Sequence, residues 1–77
     1  MKILDSGKFS VYVYDEIGQP HHLPHCHIRW EGNETVVTLP TLRVLAGTGL
    51  PKAARQLLNA HLEEIIEAWD QLNQRDS

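Results

Sequence analysis

One cysteine, one methionine and one phenylalanine are all that this 77-residue chain holds of those residue types, and it has no long apolar run. Cys26 has no second thiol to pair with, so a disulfide-stapled scaffold is excluded. A membrane helix needs about 20 consecutive apolar residues, and no stretch approaches that. The opening Met1-Lys2-Ile3-Leu4-Asp5-Ser6 lacks the apolar core of an export signal. The expectation is a cytoplasmic protein with no membrane partner. A basic excess is missing too. The net charge is −3 with histidine neutral. Lys2, Lys8, Arg29, Arg43, Lys52 and Arg55 outweigh the acids of residues 1–55 by one charge, while residues 56–77 carry a net −4. Nonspecific nucleic-acid affinity grows with the number of phosphates neutralised, so the chain as a whole is a poor nonspecific binder.

Repeats, low-complexity tracts and linkers are absent as well, and the length implies one domain over residues 1–77. A domain this small has a limited core, and a metal, a partner or a well-packed helix is the usual reinforcement.

What is present falls into a clear order. "KFSVYVYDE" alternates and is rich in β-branched and aromatic residues, which predicts a strand. Phe9, Val11 and Val13 fall on one side of it, and Ser10, Tyr12 and Tyr14 on the other. "DEIGQPHHLP" is a polar loop with one glycine and two prolines. "HCHIRWEG" is a second strand ending in a turn at Glu31-Gly32-Asn33, and "ETVVTL" is a third. "TLRVLAG" is a short fourth, or the bent continuation of the third past Pro40. "GTGLPKAARQLLNAHLEEIIEAWDQLNQ" reads as one long helix, with Pro51 at its first position and Thr48 or Gly49 capping it. Ala54, Leu58, His61, Leu62, Ile65, Trp69 and Leu72 make its apolar stripe; Glu63, Glu67, Asp70 and Gln74 face away. The expected fold is α+β: a small antiparallel sheet of three to four strands with one long C-terminal helix packed on one face.

The chemistry-bearing residues crowd into "PHHLPHCHIRW", which holds four of the five histidines and the cysteine. Period-two alternation puts Cys26, Ile28 and Trp30 on the helix-covered face, and His25, His27 and Arg29 on the other. Three readings follow. His25 and His27, two residues apart on one face, supply two metal ligands, and His22 or His21 a third, a set suited to zinc or nickel. No H-E-x-x-H, C-x-x-C or ligand-spaced carboxylate supports it. Alternatively His25 and His27 act as acid and base, with Arg29 on a phosphate and Tyr12 or Tyr14 alongside, the inventory of a hydrolase such as a ribonuclease. In the third reading the histidines are ordinary polar residues on a solvated sheet face. His61, on the apolar stripe, is expected to be a buried histidine bonded to a carbonyl or carboxylate. Cys26 is expected to be an inert core residue, and Trp30 and Trp69 to pack together.

"YDEIGQPHHLPHCHIRW" resembles the signature of a small bacterial family, domain of unknown function family 4160. Tyr14, Pro24, His25, His27, Ile28 and Trp30 match its P-P-H-x-H pattern, with Leu23 in place of the first proline. "LPKAARQLLNAHLEEIIEAWDQL" is similar to the family's closing helix, through His61, Glu64, Ile65 and Trp69. The resemblance runs from about Lys8 to Leu72. It assigns no activity and no cofactor. It implies a small protein partner encoded alongside, in gene pairs of toxin–antitoxin type. From these readings the leading expectation is a protein-contact module whose working face carries Tyr12, His25, His27 and Arg29. A second copy of the chain and RNA are the other partners weighed.

Overall fold

The computed structural model describes residues 1–15 and 23–73. The expected loop over residues 15–24 is therefore seen only at its two ends. His21, His22 and Gln74, each given a role above, lie outside the described residues.

Among the described residues, five strands form one antiparallel sheet in sequence order: β1 (Lys2–Asp5), β2 (Ser10–Tyr12), β3 (His25–Trp30), β4 (Asn33–Thr38) and β5 (Val44–Gly47). Two helices follow, α1 (Lys52–Ala60) and α2 (Leu62–Leu72). The α+β class stands, while the strand number and the single helix are corrected.

The added strand is β1. Its apolar residues, Ile3 and Leu4, are adjacent rather than alternating, so no period-two signal marks it. Pairing with β2 defines it instead, and the N-terminal amine donates to Val13 O over 2.7 Å. The fourth expected strand is present as β5, separate from β4.

The helix correction falls at His61, whose φ of −117° and ψ of 20° depart from helical values. Its N–H is shared between Leu57 O at 3.2 Å and Leu58 O at 3.3 Å, and a new ladder starts with Ile65 N donating to His61 O at 3.1 Å. The buried residues of the two helices, Ala54 and Leu58 then Ile65 and Trp69, stay at helical spacings across the joint. The apolar period therefore carries no trace of the break. Pro51 stands just before α1 rather than inside it, and no side chain caps that end.

Both helices cover one face of the sheet. Phe9, Val11, Val13, Cys26, Ile28 and Val37 from the sheet meet Leu39, Leu42, Ala54, Leu58, Ile65 and Trp69 in one core. Thr35 lies opposite Ile28 on this buried face, and its hydroxyl donates to Gly49 O, so the buried polar group is satisfied. Glu63, Glu64 and Glu67 are exposed as expected. The tryptophans are not neighbours in the way expected. Trp30, at the end of β3, tilts against Phe9 with centroids 5.8 Å apart, whereas Trp69 shares a small cavity wall with Pro24, Leu39 and Pro40 at the strand's other end.

The β3–β4 hairpin turns through two residues. Glu31 (φ 45°) and Gly32 (φ 79°) both hold positive φ, the conformation that matches the twist of paired strands. That short turn sets the register on which the candidate site depends.

Candidate functional site

The alternation read from the sequence holds. Cys26 and Ile28 are fully buried, and His25, His27 and Arg29 are turned to the face the helices leave open. The ladders then decide who stands beside whom. Tyr12 pairs with His27 and Ser10 with Arg29 across β2–β3. Across β3–β4, His27 pairs with Val36 and Arg29 with Glu34. Cross-strand partners share a face, so Tyr12, Tyr14, His25, His27, Arg29 and Glu34 gather on one surface.

Arg29 is the hub. Its Nε donates to Glu34 Oε2 at 2.6 Å and one terminal nitrogen donates to Tyr14 Oη at 3.2 Å. Its guanidinium carbon lies 4.7 Å from the Tyr12 ring centroid, a cation–π contact. The Tyr12 and Tyr14 rings are parallel at 6.2 Å, and Lys2 Nζ stands 5.9 Å from the Tyr12 ring. The Tyr14 and His27 rings meet edge to face with centroids 4.8 Å apart, and the His25 and His27 centroids are 5.4 Å apart. His25 Nδ1 lies 2.7 Å from Leu23 O, which ties its ring back to the chain leading into β3.

Glu34 joins the cationic and imidazole halves. Its Oε2 is 3.7 Å from His27 Nδ1, a charge proximity longer than a hydrogen bond. The Arg29 hydrogen bond is the main reason the Glu34 carboxyl is held below its usual range; the charge of Arg29 and the nearness of His27 add to it against a desolvation that opposes. The same hydrogen bond holds the Arg29 guanidinium further protonated. Beneath the strand, burial pushes the Cys26 thiol up to about 12, so it is an inert core group as the alternation implied.

All four residues named for catalysis, Tyr12, His25, His27 and Arg29, are thus brought to one surface. Arg29 commits two of its nitrogens to Glu34 and Tyr14, and the His27 side chain is only 20% exposed. The metal set of His25, His27 and His22 has its third member outside the described residues. Among the described residues, no group of three or more histidine, cysteine, aspartate or glutamate side chains is placed to hold a metal. His61 belongs to the helix layer. It is half-buried at the joint, where its Nδ1 faces Glu64 Oε1 at 3.3 Å. The expected carboxylate partner is present, but the burial is less than expected.

The sequence reading missed Glu34 as a site residue, while Tyr14, named with Tyr12 as a neighbour of the histidines, is there. Glu34 had a readable signal. A two-residue turn at Glu31-Gly32 forces Trp30 opposite Asn33, and therefore Arg29 opposite Glu34. The hairpin end also carries a shallow hollow of about 530 Å³, lined by Ser10, Arg29, Trp30, Asn33 and Glu34 among others.

Residues 9–70 match a family model described as Domain of unknown function (DUF4160). No curated protein and no solved structure matches the chain.

Proposed function

The chain belongs to the DUF4160 family, and from the ordered face just described we propose that it is a protein-contact module of a toxin–antitoxin-like pair, docking a small cytoplasmic partner encoded alongside. One observation carries the reading: Arg29, stacked on Tyr12, holds Tyr14 and Glu34 in place before any partner arrives. Tyrosine and arginine are the residue types that dominate binding energy at protein interfaces. Rings already held by neighbours lose little freedom on docking, which lowers the cost of association. A lone buried thiol fits a reducing compartment.

Co-expression with the neighbouring gene product tests this. The two should co-purify. Tyr12→Ala or Arg29→Ala should weaken the complex by about tenfold or more, as hot-spot truncations do. The reading fails if the neighbour does not bind and expression of either protein leaves growth unchanged.

A second reading is favoured by one specific distance. Glu34 lies against His27 Nδ1 at 3.7 Å. A carboxylate on that side orients an imidazole, and Nε2, which the structure holds buried, moves a proton once the ring turns outward. In this reading His25 and His27 serve as acid and base of a hydrolase acting on RNA, and Arg29 offers its remaining N–H groups to phosphate. Purified protein should then cleave RNA, His27→Ala should abolish cleavage, and Glu34→Gln should reduce it. Cleavage that survives both histidine substitutions identifies a contaminant.

A further inference from the structure

We infer that β5 is the pairing edge of a weak two-fold dimer, in which β5 of one copy adds antiparallel to β5 of a second copy of this chain. The inference concerns a different surface from the histidine face and does not rest on its reading.

Among the described residues, β1 and β5 are the outer strands of the sheet. An outer strand presents unpaired N–H and C=O groups, and proteins defend such edges with charge. β1 is defended in that way. It begins at Lys2 and ends at Asp5, and the two form an ion pair at 3.1 Å. β5 reads Val44-Leu45-Ala46-Gly47, with neither charge nor proline, and all four residues are exposed. Val44 is 45% exposed and Leu45 52%. The β4–β5 ladder pairs Val36 with Ala46 and Val37 with Val44, so a bulge leaves Leu45 with no residue opposite it in β4.

The strand is complementary to itself. A two-fold at Ala46 sets Ala46 against its own copy and Leu45 against Gly47, a large residue against a small one, and a two-fold at Leu45 sets Val44 against Ala46. The nearest charge is Arg43. A two-fold at Leu45 or at Ala46 puts it opposite Gly47 or Gly49 and never opposite its own copy. No like-charge pair therefore opposes the contact. Contacts of this isologous kind are the commonest among oligomers. Four paired residues cover much less than the roughly 1,200 Å² of a stable interface, so the dimer is weak and its population depends on concentration.

Antiparallel addition at an edge has its two-fold axis normal to the sheet. Both copies then turn the same face the same way. The ten-stranded sheet would carry all the helices on one side and two Tyr12–His27–Arg29 surfaces on the other, giving a partner two adjacent sites.

Sedimentation equilibrium of the full chain, from micromolar to millimolar concentration, tests this. The weight-average mass should rise from one chain towards two, and the Leu45 and Ala46 amides should exchange more slowly at high concentration. Leu45→Lys should raise the dissociation constant by about tenfold or more while leaving the circular dichroism unchanged, because the side chain is already half in solvent. Val44→Lys, on the same strand, should act alike. A single-chain mass at every concentration overturns the inference. So does a dimer that both lysine variants retain, which would place the contact elsewhere. Loss of binding to the neighbouring gene product in Leu45→Lys, with a chain that stays monomeric alone, overturns self-pairing in favour of strand addition by that partner.

Discussion

Arg29 and Glu34 face each other across the β3–β4 ladder, five residues apart in the chain, with Nε donating to Oε2 over 2.6 Å. The same carboxylate lies near His27 and the same guanidinium holds Tyr14, so this one cross-strand pair organises most of the exposed face.

Glu34 should leave a signature in acid. Its folded carboxyl sits below the ordinary 4.5. Above that value both folded and unfolded chains hold it ionised, and the pair contributes in full. As pH falls below it, the unfolded chain takes the proton first, and the contribution fades until the folded carboxyl titrates. Glu34→Gln should therefore cost about 0.5 kcal/mol at neutral pH, a value set by the exposure of the pair. The gap to the parent should close as pH falls below the ordinary carboxylate range and the folded carboxyl takes its proton. Urea titrations at several pH values read this directly. An acid slope should persist in the variant, because Asp5 is also held low, chiefly by the Gly7 N–H and then by Lys2.

Cys26 should ignore thiol reagents in the native protein. It is fully buried and its thiol is raised to about 12, so little thiolate is present at neutral pH and none is reachable. Labelling should proceed only at the rate of unfolding. Cys26→Ser should destabilise by about 1–3 kcal/mol, because the hydroxyl enters an apolar core. Rapid native labelling would contradict the burial.

Gly47 should not tolerate alanine. It holds φ at +108°, and a Cβ there would stand 2.2 Å from Glu34 O and 2.7 Å from Thr35 Cα, both backbone atoms. Backbone cannot swing aside as a flexible side chain can. Gly47→Ala should cost more than about 1 kcal/mol and loosen β5, seen as faster amide exchange in Val44–Gly47. At Gly49, which also has positive φ (+106°), a Cβ meets nothing within 4 Å, so Gly49→Ala should cost less.

The two faces of β3 should respond unequally to truncation. Ile28 is fully buried in the core, and Ile28→Ala should cost about 2–5 kcal/mol. His25 is half-buried on the open face, with Nδ1 at Leu23 O. His25→Ala should cost no more than about 1 kcal/mol, the value of one exposed hydrogen bond. Chemical denaturation of the two variants distinguishes them, and a reversed order would mean the strand is turned over.

The sequence by itself determined the sorting of sides. Alternation in "KFSVYVYDE" and "HCHIRW" and the helical stripe from Ala54 to Leu72 are local patterns, written by which side chains leave water, and they placed the core and the open face before any coordinates. The family signature, carried by Pro24, His25 and His27, was legible in the same short span. Tertiary structure alone decided the rest. β1 exists because β2 offers it a ladder, not because Ile3 and Leu4 alternate. The helix breaks at His61 although the buried spacing from Leu58 to Ile65 runs on unchanged. Arg29, Glu34, Tyr12 and Tyr14 became one network only when strand register brought four positions from three strands and a flanking residue within bonding distance. Periodicity records the partition between core and solvent; it holds no record of which neighbour completes a pair, because that depends on contacts between residues far apart in the chain.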